Sequence, residues 1–182
     1  MKKILIIMVM ASMSLVLAGA NVGFFAPAET LEVGGTWSSG GNGTFGAVAQ
    51  YSFSSDMDFT AGLDFASGST PISIGVNKYF NVPADMDQYI KPWVGASYTA
   101  YSGTSSLGIN GNVGYSMNYE GIRYIPYIGL TWVNTTAGGV SVSSTDLVLG
   151  VQADFTPNKV NKILAGLELQ NSNMVLMVGY TF

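Results

Sequence analysis

The last ten residues, Asn173 to Phe182, have the sequence NMVLMVGYTF. Counted back from the C-terminus, every second side chain is apolar or aromatic, so in an extended strand these side chains share one face. That face carries Phe182, Tyr180, Val178, Leu176 and Met174. The ends of soluble chains usually fray into water, but here the alternation continues to a final phenylalanine. The stretch therefore predicts a last strand that is held along its whole length.

A final aromatic residue, a second one two positions earlier and alternating apolar residues before them resemble the C-terminal recognition strand of bacterial outer-membrane β-barrel proteins. This class includes the small OmpA- and OmpX-like barrels and the porin-like barrels. The resemblance implies that the strand closes a barrel and that its end lies on the periplasmic side. It implies two partners, the lipid of the outer membrane and the outer-membrane assembly machinery that reads this strand. It leaves the oligomeric state open.

The N-terminal residues have the pattern of a secretory signal peptide. Lys2 and Lys3 form a positively charged start, residues 4–17 are apolar and uncharged, and Ala18 to Ala20 offers small residues for cleavage. A membrane-spanning helix would need about 18 or more apolar residues. We therefore predict three parts: a cleaved signal peptide over residues 1–20, a short periplasmic segment over residues 21–29 and a barrel over residues 30–182.

The composition also indicates a chain whose outside does not face water. Hydrophobic residues make up 48% of the 182 residues and charged residues only 10%, whereas the surface of a soluble protein usually carries about 25–35% charged residues. Beyond the signal peptide, no apolar run is long enough for a spanning helix. Only helices and closed barrels satisfy their backbone polar groups in lipid, so the composition favours a barrel.

Several functional classes are disfavoured by the residue types present. Without Lys2 and Lys3, five cations remain against eleven carboxylates, a net charge of −6, so nucleic acid is not an expected partner. The chain has neither cysteine nor histidine. It therefore lacks thiolate metal ligands and the usual general base at neutral pH. From this we expect no metal, no cofactor and no enzymatic activity.

Between Glu29 and Phe182 the sequence divides into ten alternating segments separated by turn residues. These span residues 30–38, 44–53, 57–67, 71–80, 89–101, 106–119, 122–133, 144–155, 161–170 and 173–182. Most of these segments are close in length to the strand of about 9 to 11 residues that crosses a membrane at a tilt. Alternation of apolar with polar or small residues is typical of a barrel with an apolar outside and a polar inside. The predicted fold is all-β, a transmembrane antiparallel up-and-down β-barrel of ten strands, with eight strands as the alternative.

Every second segment ends on an aromatic residue. These residues, together with the second aromatic of the last strand, are Phe53, Phe80, Tyr119, Phe155, Tyr180 and Phe182. Aromatic residues are enriched where a membrane protein meets the lipid headgroups. We predict that this set forms the periplasmic aromatic rim of the barrel and includes the assembly signal.

The opposite parity of the segments places charged residues inside the barrel. The candidate lumen charges are Glu32, Asp58, Asp64, Lys91, Arg123, Asp146, Asp154, Lys162 and Glu168. A charge inside a narrow barrel must be paired or hydrated. Several glycines share this parity, and they indicate either open space or close contact with neighbouring strands.

The sequence leaves three functions open. The inward residues form either a hydrogen-bonded plug or a thin aqueous path, which the excess of acids would bias weakly towards cations. The third is surface recognition through the extracellular loops. We therefore expect an integral outer-membrane barrel of structural or narrow-pore type whose lumen is largely filled by polar side chains, with a surface adhesion or recognition barrel as the alternative.

Overall fold

The computed structural model of the chain describes residues 29–39, 43–65, 70–83, 89–157, 159 and 161–182. The predicted signal peptide, and the predicted periplasmic segment except for Glu29, lie outside these residues. None of the described residues forms a helix that is long and apolar enough to cross a membrane.

The described residues form an antiparallel sheet that closes on itself. Its strands are β1 (Thr30–Ser38), β2 (Thr44–Ser54), β3 (Met57–Phe65), β4 (Ile72–Tyr79), β5 (Ile90–Tyr101), β6 (Thr104–Tyr115), β7 (Met117–Tyr119), β8 (Ile122–Ala137), β9 (Val140–Asp154), β10 (Ile163–Gln170) and β11 (Asn173–Thr181). Neighbours follow chain order, and β1 also pairs with β11, with Val33 opposite Tyr180. Because β6 and β7 are two parts of one strand, the barrel has ten strands. The prediction of ten strands is confirmed.

The two ends of the barrel differ in their connections. At one end lie Ser55 and Asp56 between β2 and β3, and Glu120 and Gly121 between β7 and β8. We call this end the turn end, and the opposite end, which holds the β5–β6 and β8–β9 connections, the loop end. The C-terminus lies at the turn end, where the Phe182 backbone N–H donates to the carbonyl oxygen of Leu31 at 2.9 Å.

The barrel is apolar outside and largely polar inside, the reverse of a water-soluble protein. Phe45 is 65% exposed and Val178 is 62% exposed on the outer wall. Glu32, Gln50 and Asp154 are buried in the interior. A continuous outer surface of this kind is stable only where lipid covers it. The barrel therefore crosses a membrane.

The hairpin of β8 and β9 is longer than the sequence analysis predicts. We expected a loop over residues 134–143, but β8 has 16 residues, β9 has 15, and only Gly138 and Gly139 connect them. Both glycines have positive φ, 57° and 80°, which a two-residue hairpin turn requires. The expected loop was wrong because its Ser and Thr residues, which suggest solvent, are also good strand formers next to a Gly-Gly turn.

This hairpin rises above its neighbour on one side. The pairing of β10 with β9 ends at Gln170, which lies opposite Val148. Residues Val140 to Leu147 pair with β8 but with no other described strand. The loop end therefore carries an eight-residue strand segment with one unpaired edge.

Two prolines lie inside strands, and the barrel accommodates both. Pro92 is the third residue of β5, where its carbonyl oxygen accepts from the Phe80 N–H at 3.0 Å. Pro126 lies in β8 and pairs with Val151 of β9, while the ladder on its other side is interrupted at Ser116, between β6 and β7. Proline has no N–H to donate to the opposite strand. The strand that faces Pro126 is therefore divided into β6 and β7, and both parts keep the same register with β8.

Candidate functional site in the barrel lumen

All nine predicted lumen charges lie on the inward-facing parity of the wall. Six of them are almost fully buried: Glu32, Asp58, Asp64, Asp154, Lys162 and Glu168. Lys91, Arg123 and Asp146 are partly exposed. The charges are not evenly distributed, because six of the nine lie near the turn end: Glu32, Asp58, Lys91, Arg123, Asp154 and Lys162. Their functional role stays a prediction.

Asp154 holds two of the cations at the turn end. Its Oδ2 accepts from the Lys162 ammonium at 3.0 Å and lies 3.8 Å from Nη2 of Arg123. Both cations also reach the carbonyl oxygen of Pro157, Lys162 at 3.3 Å and Arg123 at 3.5 Å. Asp154 is fully buried; it accepts a hydrogen bond from Lys162 and forms an ion pair with Arg123. The cluster therefore ties the ends of β8, β9 and β10 together.

Asp58 is held by hydrogen bonds from neutral donors. The Gln50 amide donates to its Oδ2 at 2.6 Å, and the Tyr79 hydroxyl donates to the same oxygen. Gln50 lies on β2, Asp58 on β3 and Tyr79 on β4. Hydrogen bonds of this kind compensate part of the cost of burying a carboxylate, so Asp58 belongs to the wall structure.

Glu32 differs from these two acids. Its side chain is 1% exposed, and neither carboxylate oxygen has a hydrogen-bond partner within the described part of the chain. Its electrostatic neighbours are Asp58, Asp154 and Lys162. Lys162 is bonded to Asp154 and Pro157 instead.

An aromatic cluster fills the lumen between the ends. Trp93 of β5 and Tyr127 of β8 meet edge to face with ring centroids 5.3 Å apart; Val148 belongs to the same cluster, and Tyr79 packs against it. The Tyr127 hydroxyl donates to Oε2 of Glu168 at 2.6 Å. Through Tyr79 and Tyr127 this cluster is joined to Asp58 at the turn end and to Glu168 on β10, and it places bulky side chains inside the lumen.

The inward glycines make room for neighbouring side chains. A Cβ on Gly150 would lie 2.2 Å from Cζ of Tyr127, and a Cβ on Gly129 would lie 1.9 Å from Oδ1 of Asn112. Gly95 is covered in the same way by the amides of Asn77 and Asn110. Of the two interpretations left open by the sequence, close contact between strands explains these positions, because side chains fill the space above them.

The loop end of the lumen is lined by hydroxyl and amide groups. Ser106 and Thr135 share a hydrogen bond of 2.8 Å between β6 and β8. Thr131 Oγ1, Asp146 Oδ2 and Gln170 Nε2 are buried without a hydrogen-bond partner among the described residues. Buried polar groups of this kind usually bind internal water.

Three inward aromatic residues, Tyr79, Trp93 and Tyr127, were not predicted from the sequence. Their positions follow from the same parity that selects the lumen charges: Tyr79 is two residues after Asn77, and Tyr127 is two before Gly129. They were not predicted because only charged residues and glycines were considered at inward positions.

The six residues of the predicted aromatic rim lie at the turn end and point outwards. Exposure of their side chains ranges from 38% for Tyr180 to 64% for Tyr119. Tyr180 and Phe182 contact each other edge to face with centroids 5.0 Å apart. Tyr89 and Tyr115 stack at 5.9 Å at the same end. Whether this end faces the periplasm stays a prediction.

Known structures were compared with this fold. The barrel is similar to an outer-membrane channel from Pseudomonas putida F1, with a TM-score of 0.50 and 8% identity over 90% of this chain and 100% of that one. It is similar to LpxR from Salmonella typhimurium, with a TM-score of 0.50 and 9% identity over 84% and 99%. For the KdgM porin in complex with oligogalacturonate, the TM-score is 0.46 and the identity is 11%, over 84% of this chain and 98% of that one. No family model and no curated protein matches the sequence.

One expectation from the sequence is corrected by these comparisons. We predicted from the absence of histidine and cysteine that the chain is not an enzyme, but LpxR, an outer-membrane enzyme, is among the structures that share its fold. The prediction is wrong, because the barrel fold does not distinguish an enzyme from a non-enzyme.

The fold, the apolar outer wall and the structural neighbours agree on the class and its location. The predicted class and localisation are confirmed. The chain has the fold of the small β-barrels of the bacterial outer membrane, with an apolar outer wall that lipid covers.

Proposed function

We propose that the barrel is a narrow, polar-lined pore with a weak preference for cations. The observation that supports this proposal is the charge of the inward face, where the described strands and turns place six acids against three cations. An excess of negative charge along a low-dielectric wall raises the local concentration of cations and lowers that of anions.

The path for ions is narrow because side chains occupy most of the lumen. We expect Trp93 and Tyr127, whose rings meet inside the barrel, to form its narrowest part, a constriction of the path. Water is expected on both sides of it, since buried oxygen atoms of Glu32, Thr131 and Asp146 have no protein partner among the described residues. We therefore expect small single-channel steps rather than the large conductance of wide porins.

Planar-bilayer recording of the purified full chain tests this proposal. With a potassium chloride gradient across the bilayer, we expect small, stable current steps and a reversal potential of the sign that K⁺ permeation produces. Steps with the opposite sign would reject the cation preference. A bilayer that contains folded protein but shows no steps above background would reject the pore.

A second candidate function is surface recognition at the loop end. It is favoured by the unpaired edge of β9 from Val140 to Leu147, on a hairpin that extends beyond β10. In many proteins, lysine, proline or a bulge keeps an edge strand from pairing with another chain. This segment, VSVSSTDL, contains neither lysine nor proline. An added strand from a partner protein would pair with such an edge.

A shortened hairpin tests the second candidate. In this variant residues 133–144 are replaced by Asn-Gly, which joins the paired residues Trp132 and Thr145 by a favoured two-residue turn. If the hairpin binds a surface partner, cells that carry the variant lose attachment to host cells or to phage while the barrel still folds. Unchanged attachment with a folded barrel would reject this function for the hairpin.

We also propose that the C-terminal strand is the partner of the outer-membrane assembly machinery. The support is its alternation and its exposed final aromatic pair, Tyr180 and Phe182.

A further inference from the structure

We propose that the Glu32 carboxylate is a binding site for a small monovalent cation inside the lumen. This inference deepens the proposed pore function, because it names the residue at which a permeating cation rests. Its starting point is a carboxylate that is 1% exposed and has no hydrogen-bond donor among the described residues on either oxygen. A buried carboxylate without a donor is expensive, and a cation from solution removes that cost.

The neighbouring groups do not supply the missing partner. Lys162, the cation that interacts electrostatically with Glu32, donates to Asp154 at 3.0 Å and to the carbonyl oxygen of Pro157 at 3.3 Å. The amide of Gln50, directly across the strand pair from Glu32, donates to Asp58 at 2.6 Å. Both of these donors are therefore bonded to the other two acids of the turn end.

The surrounding charge attracts a cation to this position. Asp58 and Asp154 both add negative potential at Glu32, and only Lys162 opposes them. Asp154 is already shared between Lys162 and Arg123, whereas Asp58 is bonded only to neutral donors among its described partners. Asp154 is therefore paired with two cations, whereas none of the described hydrogen bonds joins Glu32 or Asp58 to a cation.

The geometry favours a monovalent ion over a divalent one. Among the described residues, no three acidic, histidine or cysteine side chains come close enough to hold a metal ion. Ca²⁺ and Mg²⁺ usually need six or more oxygen ligands, with several carboxylates or retained waters. A single carboxylate holds a monovalent ion weakly, and weak binding is what a conducting pore requires.

Two measurements on the full chain test the site. The first is the unfolding midpoint in lipid vesicles, with K⁺ compared to the bulky N-methylglucamine cation at equal ionic strength. The second is the K⁺ to Cl⁻ permeability ratio in bilayers. Three proteins are compared: the wild type, E32Q, and E120Q, which removes one carboxylate from an exposed turn at the same end.

We expect K⁺ to raise the unfolding midpoint of the wild type and of E120Q, because an ion that binds only the folded state stabilises it. In E32Q this increase is lost, and the permeability ratio falls about fivefold, the effect of removing one unit charge about 4 Å from a hydrated path. An equal response of all three proteins to K⁺ would overturn the site.

The two measurements separate the site from the pore. If no current is seen but the midpoint of the wild type depends on K⁺ and that of E32Q does not, the pore fails and the site stands. If E32Q does not fold, the wild type alone decides, since equal midpoints in K⁺ and N-methylglucamine would overturn the proposal.

Discussion

The Tyr127 hydroxyl reaches Glu168 across an intervening strand. Tyr127 lies on β8 and Glu168 on β10, and both are in register with Gly150 of β9 between them. The tyrosine ring lies over the Gly150 backbone, and its hydroxyl donates to Oε2 of Glu168 at 2.6 Å. A side chain at position 150 would occupy the space of the ring, so this glycine makes the hydrogen bond and the constriction possible.

We therefore predict opposite effects for two glycine substitutions. G150A displaces Tyr127, because the new Cβ would lie 2.2 Å from its Cζ, and overpacking of this kind costs about 1–3 kcal/mol. The matched control is G111A on the outer wall, where the nearest atom to a new Cβ is Cγ1 of Val94 at 4.0 Å. We expect G111A to be neutral or to stabilise by up to about 1 kcal/mol. Denaturant unfolding in vesicles measures both, and equal destabilisation would contradict the role of Gly150.

Removal of the Tyr127 hydroxyl should cost more than neutralisation of its partner. Y127F leaves the fully buried Glu168 without this donor, which should destabilise the barrel by about 1–3 kcal/mol. E168Q keeps an oxygen acceptor for the hydroxyl and removes the buried charge, so we expect a smaller loss. The free energies of unfolding of Y127F and E168Q, measured under identical conditions, show which variant loses more stability. A larger loss for E168Q would show that the charge, and not the hydrogen bond, matters at this position.

The fold could be predicted largely from alternation and the lumen only in part. Period-two patterns such as that from Phe59 to Phe65 determine which face meets lipid, because a one-residue shift would expose the polar set. The β8–β9 hairpin was missed because a Gly-Gly turn in Ser- and Thr-rich sequence resembles a loop. The pairing of lumen groups was also not predictable. Whether Lys162 bonds to Asp154 or to Glu32 depends on the stagger between distant strands, which a single strand pattern does not contain.

The Asp154 cluster should be one of the most sensitive positions in the lumen. D154N removes the negative charge that faces both Lys162 and Arg123. Removing one partner of a buried ion pair typically costs about 3–5 kcal/mol, because the other charge stays buried. The double variant D154N/K162M removes both charges and should recover part of this loss. A double variant as unstable as the sum of its single variants would show that the two residues do not interact.

The last residue should matter more for assembly than for stability. The Phe182 side chain is 63% exposed and contacts the Tyr180 ring. The backbone N–H of Phe182 donates to the carbonyl oxygen of Leu31. F182A retains this backbone hydrogen bond. We expect near-normal folding of F182A into vesicles but a reduced amount of barrel in the outer membrane of cells. F155A, at another exposed rim position, is the control, and an equal loss in cells for both variants would argue against a specific C-terminal signal.

A pH-dependent contribution to stability is expected at the turn between β2 and β3. The Lys78 side chain donates to Asp56, and Ser54 donates to it at 2.7 Å, so both hold the pKa of the Asp56 carboxyl below its ordinary value. A lowered pKa in the folded state stabilises the protein above the ordinary carboxyl range, and this gain is lost as the pH falls through the folded pKa. D56N and K78M should each lower the unfolding midpoint slightly at neutral pH, since the pair is exposed and exposed pairs contribute little. The difference between the wild type and D56N should vanish in acid. A difference that stays constant from neutral to acid pH would show that the charge of Asp56 is not its cause.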